Sequence, residues 1–322
     1  MDDVIRLDGV TKRFGGFTAV NDLSFAVRPG EIYGFLGQNG AGKTTTLRML
    51  MDIVPQSAGT IRVLGETQPR RVRHRVGYLP EERGLYRKMK ARDSIAYFAR
   101  LKGVEAKTAR SRADALLEEF GLGAFAKSKI EALSKGMAQK VQLLSVIAHE
   151  PDLLILDEPF SGLDPVNQKV LEHMIAELRG KGATLVFSTH VMAHAERLCD
   201  RFLMIAHGRK VFEGTIDEAR AQRGRRLVLT TPDDPMGLTR LPEVDTVEAL
   251  GDDRYAIGLA PGSEENMGGS QRVLSACLSQ GIKVVAFGAE AASLHDLFFE
   301  FAGAVPAPAG SAEAKTETEE AA

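Results

Sequence analysis

Two cysteines are all the chain carries in 322 residues, Cys199 and Cys277, and they have neither metal-ligand spacing nor further partners. That excludes a disulfide scaffold and fits a reducing compartment better than a secreted one. No apolar run approaches the roughly 18 residues that cross a bilayer, and the opening MDDVIRLDGV lacks the basic and apolar regions of a secretory leader. Any service to a membrane is therefore expected from outside it. Excess charge is missing too: 41 Lys and Arg face 43 Asp and Glu, a formal charge of −2. This is not the broad basic surplus of a protein that coats nucleic acid. No internal repeat is visible.

Hydrophobic residues make up 44% and charged residues 26%, an ordinary globular balance. At roughly 150 residues per domain the length suggests about two domains. Short β-like runs (IRLDGVTKRF, LLILDEP, TLVFSTH) alternate with helical stretches over residues 1–223, the rhythm of an α/β domain. Inside it, residues 85–150 read as a helical insert, with apolar residues at three-to-four spacing (Ile95, Phe98, Leu101; Leu116, Leu117, Phe120) and a break at Gly121 to Gly123. Residues 224–304 change to a small α+β pattern with a turn at Gly251 to Asp253 and a closing helix LHDLFFEFAG. Residues 305–322 have almost no bulky apolar side chain and are expected to be disordered.

The chemistry concentrates in two places. Gly37, Gln38, Asn39, Gly40, Ala41, Gly42, Lys43, Thr44 and Thr45 follow the apolar run EIYGFL and precede the helical LRMLM. This is the strand, loop, helix context of a phosphate-binding loop. Glycines let backbone N–H groups converge on phosphate oxygens, and the helix N-terminus adds a favourable dipole. Lys43 is expected to reach the β- and γ-phosphates and Thr44 to ligate Mg²⁺. The four fixed positions recur by chance on the order of once in 100 chains of this length. More than a hundred residues on, Leu153 to Leu156 run into Asp157 and Glu158, carboxylates at the C-terminal end of a buried parallel strand, where ligands sit in such sheets. Asp157 is a candidate for holding Mg²⁺ through water, and Glu158 for polarising an attacking water.

Three further motifs complete a pattern: Leu133-Ser134-Lys135-Gly136-Met137, Ser161-Gly162-Leu163-Asp164 and Ser188-Thr189-His190. With the phosphate loop and LLILDEP they stand in the order and approximate spacing of ABC transporter ATP-binding subunits, which residues 4–215 resemble. The resemblance implies an α/β phosphate-loop NTPase core, a RecA-like sheet with an antiparallel β subdomain and the helical insert, followed by the small α+β domain. It implies an ATPase that uses ATP and Mg²⁺, with Phe14 stacking on adenine and Phe17 close by. It implies that Ser134 and Gly136 hold the γ-phosphate of ATP bound by a second subunit, that Asp164 crosses that interface, and that His190 contacts the γ-phosphate. Two chains, as a homodimer or heterodimer, would sandwich two ATP molecules and drive a separate transmembrane permease from the cytoplasmic face of the membrane. The stretch from Gly77 to Tyr86 and the small C-terminal domain resemble the ATPases of ABC-2 type exporters, the sodium-efflux type included.

The sequence departs from the family pattern in two places, the signature and Glu81. Lys135 and Met137 replace a Gly and a Gln, so Lys135 either faces solvent or adds a cation near a partner's phosphates, and Met137 offers no amide. Glu81 stands where a Gln usually touches Mg²⁺ or water, and a carboxylate near a triphosphate is repelled unless Mg²⁺ or a proton compensates. Around it, residues 69–92 hold nine Arg and Lys against Glu81 and Glu82. This stretch is either a solvated face or a surface for anionic lipid or an acidic permease helix. Nucleic acid is not expected as a partner, because only Tyr78 and Tyr86 interleave with these charges. The competing function is a soluble ABC-type ATPase acting on ribosomes or DNA, although the tandem ATPase units or long insertions of such proteins are not seen in this sequence.

Overall fold

The computed structural model describes residues 3–82, 84–223, 226–260, 268–290 and 292–303. The expected disordered tail at 305–322, the seam at residue 224 and Arg83 of the basic stretch lie outside the described residues. The described chain divides into two compact units, one reaching to Gly214 and taking in Phe298 to Gly303, the other running from Thr215 to Leu297. The sequence places this division at 223/224; in the structure the strand Arg209–Gly214 precedes it, and the division falls after Gly214.

In chain order the first unit runs β1 (Ile5–Phe14), β2 (Phe17–Val27), β3 (Ile32–Leu36), α1 (Lys43–Leu50), β4 (Ala58–Val63) and β5 (Val76–Leu79). Then come α2 (Ala91–Leu101), α3 (Ala106–Glu119), α4 (Lys135–Ile147), β6 (Leu153–Asp157), α5 (Pro165–Gly180), β7 (Thr184–Thr189), α6 (Met192–Leu198), β8 (Arg201–Ala206) and β9 (Arg209–Gly214). An antiparallel sheet has the order β2-β1-β4, and a second sheet has the order β5-β6-β7-β3-β8-β9, parallel except for the β8 to β9 hairpin. Every residue of β3, β6 and β7 is buried, as a parallel strand covered on both faces requires. Side chains alternate along β6: Leu153 and Ile155 enter the core shared with β1, β2 and α1, while Leu154 and Leu156 enter the core shared with the helices α2 to α5. This continuous apolar run delivers Asp157 and Glu158 to the C-terminal edge of the sheet, beside the loop that follows β3.

The helical insert corrects one reading of the periodicity. On α2 the buried stripe is Ala91, Ile95 and Ala99, whereas Leu101 is exposed and Phe98 only half-buried. The inward face is mostly small, Ala91, Ser94 and Ala99 around the single Ile95, because α2 packs against both α3 and α4, and close helix approach favours small side chains. Phe98 instead joins Tyr86 and Tyr97 in an aromatic cluster with centroid spacings of 5.5 to 6.4 Å.

His149, in the connection from α4 to β6, gives this unit a pH-dependent stability. Burial, reinforced by the positive charges of Lys102 and Arg112, pushes its imidazole down to about 4. An unfolded histidine titrates near 6.5, so the unfolded chain binds the extra proton between these values. Stability is complete above about pH 6.5 and is lost as pH falls toward about 4, by on the order of 2 kcal/mol for this partly buried group. His149→Gln is expected to flatten that acid limb in urea-unfolding midpoints measured from pH 7 to pH 4. An unchanged slope would assign the acid limb to other groups.

The second unit contains α7 (Ile216–Arg223), β10 (Arg226–Thr230), β11 (Val244–Gly251), β12 (Arg254–Leu259), α8 (Gly268–Ser279) and β13 (Ala286–Ala289). Its sheet is antiparallel in the order β11-β12-β10-β13. Alternate residues Leu227 and Leu229 of β10 share a core with Val273 and Cys277 of α8. These two lie four apart on one helix face. The β11 to β12 turn has Gly251, Asp252 and Asp253 at positive φ, at the position the sequence marks. The closing helix α9 (Leu294–Gly303) carries Phe298 to Gly303 into the first unit, where Phe301 stacks on Phe212 at 5.3 Å.

Candidate active site

The loop between β3 and α1 turns sharply because two glycines sit where no side chain fits. Gly42 has φ 104°, and a Cβ there would lie 2.6 Å from the Ala19 carbonyl oxygen. At Gly37 a Cβ would run into the backbone oxygen of Ile205. The loop wraps a cavity of about 330 Å³ lined by Phe17, Gln38, Lys43, Thr44, Glu81 and Glu158, among others.

Lys43 is buried, and its ammonium donates to the carbonyl oxygens of Gly37 at 2.8 Å and Gln38 at 3.2 Å. It also lies 3.4 Å from Glu158 Oε1. Glu158 is 7% exposed, and its other oxygen lies 3.0 Å from His190 Nδ1. Its backbone is left-handed at φ 46°, a conformation that costs a side-chain-bearing residue about 1 to 2 kcal/mol. Asp157 accepts hydrogen bonds from Thr44 Oγ1 at 3.2 Å and from Ser188 Oγ at 2.6 Å. The Ser188 hydroxyl in turn accepts the Glu158 N–H at 2.9 Å. Ser188 is thus a bridge between the two carboxylate positions, a part the sequence marks as motif but not as function. The loop hydroxyl, loop lysine, two carboxylates and histidine converge from β3, α1, β6 and β7.

The ABC transporter family matches residues 20–161. A protein of Bacillus subtilis (strain 168) named as an uncharacterized ABC transporter ATP-binding protein, YhaQ, is 38% identical over 302 residues, 94% of this chain and 99% of that one. The chain belongs to the ABC transporter ATP-binding subunits. It is therefore an ATPase of a family whose members dimerise and work with transmembrane permeases. This ABC subunit is also 43% identical over 208 residues to the Nod factor export ATP-binding protein I of Burkholderia orbicola, covering 64% of this chain and 68% of that one. A solved ATP-binding subunit of an ABC transporter superposes with a TM-score of 0.63 at 33% identity, covering 68% of this chain and 93% of the other. The α/β phosphate-loop fold with its antiparallel β sheet is as expected. No described helix is long and apolar enough to cross a membrane.

Within the ABC subunit, the signature residues and Asp164 fall outside the cavity lining. Ser134 caps α4 by accepting the Met137 N–H at 3.2 Å, and Gly136 lies in that helix's first turn, but neither is among the cavity-lining residues. Asp164 caps α5, accepting the Val166 and Asn167 N–H groups at 3.0 Å and the Asn167 amide at 2.6 Å. The Asn167 backbone and side-chain hydrogen bonds hold its carboxyl below the ordinary aspartate value. The two capped helices touch, because the Asn167 side chain fills the space a Cβ on Gly136 would need. Lys135 is exposed and its ammonium rests over Gly162. Phe14 and Phe17 are both exposed, at 49% and 62%. Phe17 lines the cavity, whereas the Phe14 ring carries the Lys12 ammonium 4.7 Å from its centroid. The basic stretch is partly neutralised: Arg75 pairs with Asp152, Arg71 with Glu66, and Arg92 with Asp93 and Asp114.

Proposed function

We propose that this subunit powers an ABC-2 type exporter from the cytoplasmic face of the cell membrane, closing on a second ATP-binding subunit when ATP binds and reopening after hydrolysis. The observation that carries this reading is the one-sidedness of the site. Lys43, Glu81 and Glu158 line one cavity, with Asp157 and His190 hydrogen-bonded to its residues, while Ser134, Gly136 and Asp164 stand at helix ends outside its lining. A second copy, or a related chain, bringing Ser134 and Gly136 to the γ-phosphate would complete it, with a capped helix N-terminus well suited to an anion.

Each residue then has a part. Gln38 to Thr45 cradle the phosphates, Lys43 reaches the β- and γ-phosphates, and Phe17 or Phe14 stacks on adenine. Glu158 takes a proton from the attacking water, and His190 holds that carboxylate and contacts the γ-phosphate. Thr44 Oγ1 and Asp157 Oδ1, 3.2 Å apart, are the hard oxygen donors Mg²⁺ prefers. Mg²⁺ held there would offset phosphate charge, which also lets Glu81 line the cavity. Tyr86 and Tyr97 are exposed and pack on each other, and the exposed Arg87, Lys88 and Lys90 follow Tyr86 in the chain. This mixed apolar and basic surface suits a permease helix. Likeness to the Nod factor export protein supports the export direction; the cargo is set by the permease.

The test is affinity purification of the tagged chain from detergent-solubilised membranes of its host, with Mg-ATP hydrolysis assayed on what accompanies it. A multi-span protein that stimulates hydrolysis is expected. Recovery with ribosomes or DNA, and no membrane protein, would overturn the exporter reading and leave the ATPase standing.

A further inference from the structure

We propose that His194 is a positioning residue for hydrolysis, acting on Glu158 through the ring of Phe160. The inference rests on the general-base reading of Glu158. A left-handed glutamate followed by Pro159 and a turn is not self-supporting, since non-glycine residues leave that region unless their surroundings over-determine it. Here the turn is closed by the Ser161 N–H on the Glu158 carbonyl at 3.0 Å and gripped from two sides. From α4, the buried Gln139 amide donates to the Pro159 carbonyl at 3.1 Å. From α6, the His194 imidazole lies flat on the Phe160 ring, with centroids 4.1 Å apart and planes within 15°. Phe160 also packs edge to face with Phe187 of β7, with centroids 5.9 Å apart.

His194 is 2% exposed, and a buried imidazole is a costly way to fill space unless its polar atoms are used. Its Nδ1 lies 2.9 Å from Glu172 Oε1 of α5, and the Arg197 guanidinium donates to the same carboxylate at 2.5 and 3.1 Å. Glu172 fixes the plane of the ring, and Arg197 balances the Glu172 charge. The same short segment therefore holds the catalytic carboxylate twice, directly through His190 and two residues downstream through His194 on Phe160. A shift of about 1 Å in a reacting group can cost 10²-fold in rate, so loss of this support should fall on the chemical step.

The test uses the full-length chain with His194→Ala, His194→Phe, Phe160→Leu, Glu158→Gln and the double variant Glu158→Gln/His194→Ala. His194→Ala is expected to lower kcat for ATP about tenfold or more with KM within about twofold. His194→Phe keeps the stack, and Arg197 keeps Glu172 paired, so kcat should return to within about threefold of the parent. Phe160→Leu supplies the same reading should His194→Ala fail to fold, with a loss like that expected for His194→Ala. In the Glu158→Gln background His194→Ala should cost nothing further, because the group it positions is gone. Parental kcat in His194→Ala, an effect confined to KM, or a full additive loss in the double variant would each overturn the inference. If Glu158→Gln itself hydrolyses at the parental rate, the general-base reading falls and this inference with it. If Glu158→Gln is inactive and His194→Ala is not, only the inference falls.

Discussion

Glu158→Gln is expected to reduce ATP hydrolysis by roughly 10²- to 10⁴-fold, the usual worth of a positioned general base, while ATP still binds. Glutamine keeps the size and shape of the side chain and can still meet His190, but it cannot accept a proton from water. Binding is spared because the phosphate cradle is made by backbone N–H groups and Lys43, which retains its hydrogen bonds to Gly37 and Gln38. The product state is then out of reach, so the variant should accumulate as an ATP-bound dimer on size-exclusion chromatography. Single-turnover hydrolysis supplies the rate. A variant that turns over like the parent would remove Glu158 from the role.

Lys43→Ala is expected to weaken the protein in two separable ways. The first is in ATP affinity: charge-assisted hydrogen bonds contribute about 1.5 to 3 kcal/mol each, and without the ammonium to meet the β- and γ-phosphates binding weakens by roughly 10²-fold or more. The second is in the chain without nucleotide. Glu158 Oε1 is buried, makes no hydrogen bond, and has the Lys43 charge 3.4 Å away. Removing one partner of a buried pair leaves the other uncompensated, at a cost of about 3 to 5 kcal/mol. Urea midpoints should therefore fall in Lys43→Ala and recover largely in Lys43→Ala/Glu158→Gln, whereas nucleotide affinity should stay low in both. Equal stability of the single variant and the parent would mean that the Glu158 charge is relieved elsewhere.

The parts of this site that can be read from sequence are those the chain writes contiguously. The phosphate loop is legible because its glycines, its lysine and the flanking strand and helix fall in one stretch, and β6 is legible because burial on both faces forces an unbroken apolar run. Interactions assembled across the fold are not. Nothing in the Ser188 neighbourhood tells that its hydroxyl bridges Asp157 and the Glu158 N–H, since the partners lie about thirty positions earlier. The His194 stack on Phe160 is hidden for the same reason. Spacing alone also does not tell which apolar residues of α2 are buried: Ala91, Ile95 and Ala99 are, while Phe98 is half-buried and Leu101 exposed. Between Phe14 and Phe17 the hairpin geometry decides which ring reaches the cavity, and a pattern of letters does not carry that geometry.

The interlock of Gly136 with Asn167 has an evolutionary consequence. Because the asparagine side chain fills the space beside the glycine and also bonds to Asp164, a larger residue at 136 requires the side chain at 167 to shrink or swing away and give up its bond to Asp164. Descendants of this chain are expected to drift freely on the outward faces of those helices, while a larger residue at 136 arrives together with a smaller one at 167. An alignment deep enough to measure joint substitution would show that pair as a correlated site, and independent variation at the two would mean that the helix ends tolerate separation.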